Sequence, residues 1–269
     1  MAWRPGPGGI PLLDGPALPA AVVREKEWLE RTAQSPDLDP LKLLQHVQQS
    51  KAVTVAAMDE VLAHEAVVPL LRGHVLDAGA GVGWLAARLA RLPAVSRASL
   101  LDVSELYFDR VTLPVLRHLG VDVAKVRFLV SDFDHVPASA EPFDCVFLVA
   151  ALHHSPHPPT TVRHLAAQLN PGGVIIAIEH PASRRRRERA RADAEACSAE
   201  LGVNEHAYTR AEFDAFLRTA DVGPVSRYAL TTGCSPGARM LARRLLRAVD
   251  WEHLVSAPVY CWVVRPAPS

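Results

Sequence analysis

The segment from His74 to Trp84 constrains the fold of this chain more than any other. It joins an apolar run to Asp77 and then to a turn with glycine at positions 79, 81 and 83. Glycine adopts left-handed backbone conformations and lets the main chain approach a ligand closely, and a helix that begins after such a turn presents unpaired N–H groups. The segment therefore predicts a buried strand, a turn that holds a nucleotide-type ligand, and the start of a helix.

Asp77 bears on which ligand this turn can hold. Gly81, Gly83 and Ala86 fit the loose G-x-G-x-x-G/A spacing of dinucleotide-binding turns, so glycine spacing alone leaves a nicotinamide cofactor open. A carboxylate at the strand end would repel a pyrophosphate, whereas it could attract the ammonium group of an amino-acid moiety. Asp77 therefore favours a ligand that carries positive charge.

Apolar segments and helical stretches alternate on both sides of the turn. Strands are predicted near 74–78, 97–102, 126–131, 143–149 and 173–179, with helices near 83–92, 104–119 and 158–168 and two closing strands at 225–230 and 258–264. This alternation predicts an α/β fold, in which a mostly parallel sheet has helices on both faces and the ligand lies at the carboxyl ends of the strands. Asp77, Asp102, Asp132 and His154 all fall at or just beyond such ends.

Five motifs in this order resemble those of the class I S-adenosylmethionine (SAM) dependent methyltransferases over about residues 70–181. They are the turn after Asp77, Asp102 after the second strand, Ser131-Asp132-Phe133 after the third, Leu152-His153-His154-Ser155-Pro156-His157-Pro158 after the fourth, and Asn170-Pro171-Gly172-Gly173 before the fifth. His157 departs from the pattern, because many relatives carry an acid there. The resemblance implies a Rossmann-like sheet of seven strands in the order 3-2-1-4-5-7-6, with SAM as the methyl donor.

The resemblance also implies which residues hold SAM. In that family the glycine turn wraps the methionine part, the acid after the second strand holds the ribose hydroxyls, and the acid after the third strand takes the adenine amino group beside an apolar residue. The implied cofactor-binding residues are Asp77, Gly79, Ala80, Gly81, Gly83, Asp102, Val103, Asp132, Phe133, Val149 and Ala150.

Several side chains are candidates for the chemistry of methyl transfer. The methyl of SAM is already activated, so the protein has to align the acceptor and remove a proton where the acceptor atom is an oxygen or an acidic carbon. His154 matches a recurring histidine of the family that often supports the cofactor site instead of acting as the base. The full set of catalytic candidates is His153, His154, Glu179, His180, His206 and Tyr208.

The chain divides into regions of different composition. Residues 1–19 are rich in proline and glycine and predict a flexible lead, residues 20–71 predict helices that form a lid over the cleft, and residues 72–269 predict the SAM-binding domain. A helical insertion at 181–223 is expected to determine the substrate. There, Thr209 and Glu212 predict a capping box, which places Glu205, His206 and Tyr208 in the loop before it.

The arginine run at 184–191 leaves two interpretations open. It could bind phosphate or nucleic acid, or it could be a solvated helix face whose arginines pair with Glu188, Asp193 and Glu195; the missing aromatic residues favour the second. A formal net charge of zero gives no overall attraction to polyanions. Nucleic acid is therefore not the expected partner. The expected function is a small-molecule methyltransferase of secondary or cofactor metabolism. An RNA or protein methyltransferase and an NAD(P)-dependent oxidoreductase stay alternatives.

Cysteine spacing and hydropathy indicate which covalent links, metal sites and membrane segments to expect. The four cysteines lie far apart and form no C-x-x-C pair, so we expect neither a disulfide framework nor a metal site, which fits a reducing cytoplasm. The chain has no apolar run long enough for a membrane span and no signal-peptide pattern. A small-molecule acceptor is the expected partner, and a homodimer stays open.

Overall fold

The computed structural model describes residues 2–137, 140–183, 186–218, 222–230 and 259–266 of the chain. In this part, nine strands form one sheet in the order β1-β2-β5-β4-β3-β6-β7-β9-β8. The strands are β1 (Arg4–Pro5), β2 (Pro11–Asp14), β3 (Gly73–Ala78), β4 (Val95–Asp102), β5 (Val126–Val130), β6 (Phe143–Val149), β7 (Leu169–Glu179), β8 (Val222–Ala229) and β9 (Tyr260–Pro266). Strands β2 to β7 pair in parallel, and β8 and β9 close one edge as an antiparallel pair.

The predicted α/β class is confirmed, and the strand count is corrected from seven to nine. The strands β3 to β9 carry the predicted order, with the third predicted strand (β5) toward one edge and the sixth and seventh (β8 and β9) at the other. Strand β7 begins at Leu169 instead of near 173, with a register irregularity where Phe143 pairs Leu169 and Cys145 pairs Val174. The predicted closing strand at 258–264 runs from 260 to 266, and Pro258 lies outside the described residues.

The prediction of a flexible lead at residues 1–19 is wrong for most of its length. Strand β2 pairs in parallel with β5, Leu12 with Phe128 and Leu13 with Leu129, and both leucines are fully buried. Arg4 links this segment to the helix that follows β4, because its guanidinium donates hydrogen bonds both to Asp14 of β2 and to Glu105. The proline-rich composition concealed a short apolar strand whose partner lies far along the chain, and Pro11 is tolerated because it is the first residue of its strand.

Nine α-helical segments accompany the sheet within the described residues. They are α1 (Ala20–Gln34), α2 (Pro40–Ser50), α3 (Ala52–Leu62), α4 (Trp84–Ala90), α5 (Glu105–Tyr107), α6 (Leu113–His118), α7 (Pro158–Ala167), α8 (Arg187–Leu201) and α9 (Arg210–Phe216). The helix predicted at 104–119 is interrupted by a π-helical turn at Phe108–Thr112 between α5 and α6. None of the helices described is both long enough and apolar enough to cross a bilayer.

Both faces of the sheet are covered, which explains the continuous apolar strands. Along β6, Cys145 and Phe147 belong to a core that includes α4 and α6, while Val146 and Leu148 belong to a core on the opposite face with α7 and α9. This alternation follows the two-residue period of a strand. The polar ends of the parallel strands are left at one edge of the sheet, where they can meet a ligand.

A third apolar cluster fixes α1 and α2 over that edge. Val22 and Leu29 of α1 and Leu44 of α2 pack with Val103 and Tyr107, which follow the end of β4. The N-terminal helices thus contact the segment that carries the predicted ribose-binding acid. This packing places side chains of α1 beside the ends of β3 and β4.

Candidate functional site

A cavity of about 560 Å³ lies at the carboxyl ends of β3, β4, β5 and β6. We call it the sheet-edge cavity. Eight of the predicted cofactor-binding residues line it, namely Gly79, Ala80, Gly81, Asp102, Val103, Asp132, Phe133 and Ala150. Part of the remaining wall comes from α1 and α2, with Glu25 and Trp28 among its residues, and part from α8, the loop after it and the turn after β6. The predicted lid helices therefore border this cavity.

The glycine turn has the backbone that its sequence predicts. Gly79, Gly81 and Gly83 all have positive φ, at 81°, 49° and 81°. A Cβ on Gly81 would meet nothing within 4 Å, because this residue faces the open cavity, whereas a Cβ on Gly83 would lie 2.7 Å from Thr112 Cγ2. Gly81 therefore keeps space free for a ligand, and Gly83 allows the turn to pack on the π-helical segment.

Three of the predicted cofactor residues lie behind the cavity wall. Gly83 caps α4, and Val149 packs against the core below the sheet edge. Asp77 is 3% exposed, and its Oδ2 accepts the Ala86 N–H at 3.1 Å. Burial raises the pKa of Asp77 to about 7, because a buried carboxylate loses its hydration. The carboxyl group orders the start of α4, and its contact with a ligand ammonium stays a prediction.

Asp102 is oriented by backbone donors at the end of β4. Its Oδ2 accepts the Gly81 N–H at 2.8 Å and its Oδ1 accepts the Val103 N–H at 2.7 Å. Burial raises the pKa of Asp102, although both hydrogen bonds oppose the shift. The carboxylate thus connects the glycine turn to the second strand, at the place where the family pattern expects a ribose.

Asp132 and Phe133 lie at the end of β5. The two carboxylate oxygens of Asp132 are 2.7 and 2.9 Å from His135 Nδ1, and one of them also accepts the Asp134 N–H at 2.8 Å. The Phe133 ring lies against the glycine turn, since a Cβ on Gly79 would come within 3.3 Å of it. This pair presents an acid and an apolar ring to one end of the cavity.

The sheet-edge cavity is rich in carboxyl groups. Glu25, Asp102, Asp132, Asp134 and Glu205 line it, and Lys51 is the lysine among its lining residues. Burial raises the pKa of Glu25 to about 7, and the nearby Asp102 raises it further, while the Asn204 N–H hydrogen bond opposes the shift. Such a wall attracts a cation and repels a polyanion.

A second cavity of about 760 Å³ adjoins the first. We call it the insertion cavity, because α8, the loop after it and α9 form one side, while α3, His153 and His180 form the other. Lys51, Ala150, Cys197 and Glu205 line both cavities. These four residues mark the junction between the two cavities, where a group bound in one can reach a group bound in the other.

Ala150 has an unusual backbone at this junction. Its φ of 48° lies in the left-handed region, which residues other than glycine adopt at a cost. Its N–H donates to the Ile178 carbonyl at 2.8 Å, so the sheet holds the conformation in place. The strained residue turns the chain out of β6 and leads it to His153, which lines the insertion cavity, and His154, which lines the sheet-edge cavity.

His153 and His154 sit on a single 3₁₀ turn, Leu152–His154, after β6. Nδ1 of His153 donates to Glu179 Oε2 at 2.7 Å, and Nδ1 of His154 donates to the Asn204 carbonyl at 2.7 Å. Burial acts to lower the pKa of His153, but the Glu179 and Glu205 carboxylates outweigh it and raise that pKa. Burial and the neighbouring His153 lower the pKa of His154 to about 3.

Glu179 supports this turn from below instead of facing either cavity. It is 1% exposed, and its Oε1 accepts the N–H groups of Ala151 and Leu152 at 3.0 and 2.7 Å. With His153 on its other oxygen, the carboxylate is fully engaged in ordering the turn. These contacts favour a positioning role for Glu179 over the predicted catalytic one.

The other catalytic candidates lie on the walls of the insertion cavity. His180 accepts or donates a hydrogen bond to Thr54 Oγ1 of α3 at 2.8 Å, and burial lowers its pKa. His206 is largely exposed, and the partial loss of hydration of its ring lowers its pKa. Tyr208 packs edge-on against Phe216 with ring centroids 4.9 Å apart, so its ring anchors the loop to α9.

The insertion has the predicted helical structure, and Arg187, Arg189 and Arg191 of the arginine run are paired. Thr209 and Glu212 form the predicted capping box. Arg187 and Arg191 both donate to Glu212 at 2.9 and 2.8 Å, and Arg189 lies 3.8 Å from Asp193. Arg184 and Arg185 lie outside the described residues. These contacts favour the interpretation of the run as a helix face over that of a phosphate site.

Sequence reasoning missed Glu25, Lys51 and Thr54 as site residues. Glu25 and Thr54 belong to α1 and α3, and Lys51 joins α2 to α3. The sequence signal in this region was an apolar periodicity, which says nothing about polar side chains on the opposite face. Only the position of α1 and α3 over the strand ends gives these residues a role. Glu205 was recognised as part of a polar loop, without any indication that it reaches the two histidines.

Comparison with known proteins identifies the central part of the chain. Residues 75–173 match a family described as "Methyltransferase domain". An uncharacterised methyltransferase of Mycobacterium tuberculosis is 34% identical over 117 residues, which are 42% of this chain and 54% of that protein. A tRNA U34 carboxymethyltransferase of Saccharophagus degradans is 33% identical over 118 residues, 44% of this chain and 35% of that one. The chain thus spans about half or less of the length of these curated relatives.

Solved structures confirm the fold over a longer stretch. A 1,6-didemethyltoxoflavin N1-methyltransferase of Burkholderia thailandensis, crystallised with its substrate and S-adenosylhomocysteine, superposes with a TM-score of 0.56 at 19% identity, covering 96% of this chain and 95% of that one. The structural likeness shows the fold, and the family match shows that residues 75–173 resemble a methyltransferase domain.

Proposed function

We propose that this chain, whose residues 75–173 form a methyltransferase domain, transfers the methyl group of SAM to an oxygen, nitrogen or carbon atom of a small molecule. SAM would occupy the sheet-edge cavity, and the acceptor would occupy the insertion cavity. The observation that carries this proposal is the junction at Ala150 and Glu205, where an acid-rich cavity beside a glycine turn opens into a separate cavity of comparable size.

The charge of the sheet-edge cavity supports SAM over a dinucleotide. SAM carries a sulfonium and an ammonium, while NAD carries a pyrophosphate. Glu25, Asp102 and Asp132 lie along the wall with Lys51 as the opposing lysine, which favours the cation and disfavours the diphosphate. These charges support a methyltransferase over the oxidoreductase alternative.

The shape of the insertion cavity supports a small acceptor. Its walls are side chains of α3, α8 and α9 and of the loop between the last two, and these walls enclose a volume suited to a metabolite. Arg187 and Arg191 of α8 are paired with Glu212, which argues against their use for binding a polyanion. The N-methyltransferase of Burkholderia thailandensis, crystallised with a small heterocyclic substrate, shows that this fold accommodates such acceptors.

The residues at the junction perform two tasks in this account. SAM supplies a methyl group that is already activated toward a nucleophile. The glycine turn and Asp102 fix the donor, and the walls of the insertion cavity align the acceptor with the carbon–sulfur bond. The cluster of His153, His154 and Glu205 lies between the two cavities, beside the proposed acceptor position, and this placement supports it as the group of side chains that helps remove the acceptor's proton.

A labelling experiment tests the substrate class. Purified protein and methyl-labelled SAM are incubated in three separate reactions, one with a small-metabolite extract, one with total tRNA and one with a protein extract. We expect label in the small-molecule fraction and none above the background of the Gly81→Val variant in the others. Label in tRNA would favour the RNA alternative, and the absence of label in every fraction would contradict methyltransferase activity.

A further inference from the structure

The cluster at the junction has the arrangement of a metal site. His153 Nε2 lies 3.6 Å from Glu205 Oε1, and His154 Nε2 lies 3.7 Å from Glu205 Oε2. One ligand atom from each of the three residues lies within 4.8 Å of the others. We propose that His153, His154 and Glu205 bind one divalent transition-metal ion of the zinc class at the junction of the two cavities.

The outer nitrogens of both histidines support this assignment. A backbone carbonyl can only accept, so His154 must carry its proton on Nδ1, where it donates to Asn204. Nδ1 of His153 donates in the same way to Glu179, which is itself held by two backbone N–H groups. Histidines that bind metals commonly donate their other N–H to a carboxylate or a carbonyl, since this contact orients the ring.

The spacing between the inner atoms fits an ion better than a hydrogen bond. Distances of 3.6 and 3.7 Å exceed a hydrogen bond between nitrogen and oxygen. Two atoms that bind the same tetrahedral Zn²⁺ at about 2.0–2.1 Å lie about 3.3–3.5 Å apart. Each Nε2 lies at nearly that separation from one Glu205 oxygen, and because the two histidines approach different oxygens, the carboxylate would bind the ion through both of them. With Nδ1 protonated on each ring, lone pairs of both Nε2 atoms face the Glu205 carboxylate, and a cation between them would relieve the repulsion.

The ligand set selects the kind of metal. Two imidazoles and one carboxylate suit Zn²⁺, Co²⁺ or Fe²⁺, whereas Mg²⁺ prefers an octahedron of oxygen atoms. Three protein ligands leave at least one position for water or substrate, as in catalytic zinc sites. Because His153 and Glu205 line the insertion cavity, the open position would face the acceptor.

The consequence for catalysis rests on the proposed function. An acceptor hydroxyl bound to the ion would lose its proton to water more easily, and the resulting oxygen anion would attack the methyl of SAM. The oxygen–carbon bond forms as the carbon–sulfur bond breaks, the electron pair stays on sulfur, and the products are the methyl ether, S-adenosylhomocysteine and one proton. This assigns the acceptor to molecules with a hydroxyl or enol oxygen.

Titration with Zn²⁺ and Co²⁺ in the absence of SAM tests the site itself. The protein is treated with a chelator, dialysed and titrated by calorimetry, and the Co²⁺ form is examined by visible absorption. We expect one ion per chain, a rise in melting temperature on loading, and the absorption bands of tetrahedral or five-coordinate Co²⁺ with nitrogen ligands. A folded wild-type protein that binds neither ion would overturn the proposal, and would favour a protonated His153 held between Glu179 and Glu205.

Variants show whether the ion occupies these residues. His154→Gln and Glu205→Gln should each weaken binding by about 100-fold or more, and Glu179→Gln should weaken it by roughly 10–100-fold through the orientation of His153. His118→Gln on the exposed face of α6 is the matched control and should bind as wild type does. Equal affinity in His154→Gln, Glu205→Gln and wild type would overturn the site. Because no SAM is present, this result is independent of the outcome of the labelling experiment.

Discussion

The two cavities are built in different ways. The sheet-edge cavity is formed largely by the ends of parallel strands and the turns after them, with Gly81, Asp102 and Asp132 at a strand end or within three residues of one. The insertion cavity is formed by side chains from α3, the turn after β6 and the loop before α9, which lie far apart in the sequence. The first is therefore fixed by the fold, whereas the second can vary while the fold stays the same. We infer that donor and acceptor recognition are separable by mutation.

Gly81→Val should have the largest effect on the sheet-edge cavity. The new side chain would point into open space, where SAM is expected, and valine tolerates the positive φ poorly. We expect SAM affinity to fall by at least about 100-fold, which corresponds to about 2.7 kcal/mol, as measured by calorimetry.

Gly172→Val is the matched control for Gly81→Val. Gly172 also has a positive φ, at 78°, and a Cβ there also meets nothing within 4 Å, but it lies in β7 away from both cavities. Its melting temperature should fall as much as that of Gly81→Val, while its SAM affinity stays that of wild type. Equal SAM affinity in the two variants would show that the turn has only a structural role.

Changes in the insertion cavity should affect turnover and spare donor binding. Replacing Glu205, His206 and Tyr208 together by alanine should lower turnover of the identified acceptor by roughly 10–100-fold, since groups that orient the acceptor or assist its proton loss are removed. SAM affinity should change less than about tenfold. Steady-state kinetics and calorimetry on the same preparation give the two values.

The single variant Tyr208→Phe separates packing from chemistry in that loop. It keeps the ring that packs on Phe216 and removes only the hydroxyl. A turnover near that of wild type would assign Tyr208 to packing. If the triple variant loses donor affinity as strongly as turnover, the two cavities are not separable.

Asp77→Asn should give a smaller effect that depends on pH. The pKa of Asp77 is raised from 3.8 to about 7, so folding disfavours its ionised form. This cost is absent below about pH 4, grows as the pH rises toward 7 and is complete above it. Asparagine can still accept the Ala86 N–H, so the variant should gain stability relative to wild type as the pH rises, by up to a few kcal/mol at about 1.4 kcal/mol per pKa unit.

Thermal or urea unfolding between pH 4 and pH 8 checks this expectation for Asp77. A difference in stability between wild type and Asp77→Asn that does not change with pH would contradict the raised pKa. SAM affinity of the same variant tells whether the charge serves the ligand: a clear loss would support the predicted attraction to the ammonium group, although Asp77 lies behind the cavity wall.

The sequence allowed the sheet-edge cavity to be predicted because its signals are local. Asp77, the three glycines and Asp102 lie within one strand–turn–helix–strand unit, and spacing alone places them together. The strand order followed from the resemblance. Glu25 and the contact of Glu205 with His153 could not be predicted, because they depend on how α1 and the insertion pack on the sheet. The strand at Pro11–Asp14 was missed for the same reason, since its partner β5 is remote.

Calorimetric titration of the wild-type protein with SAM, S-adenosylhomocysteine and NAD tests the central claim most directly. The acid-rich cavity, the open face of Gly81 and the carboxylate of Asp102 predict one SAM or S-adenosylhomocysteine per chain with an affinity in the micromolar range, and no measurable binding of NAD. Binding of NAD without binding of SAM would contradict the account.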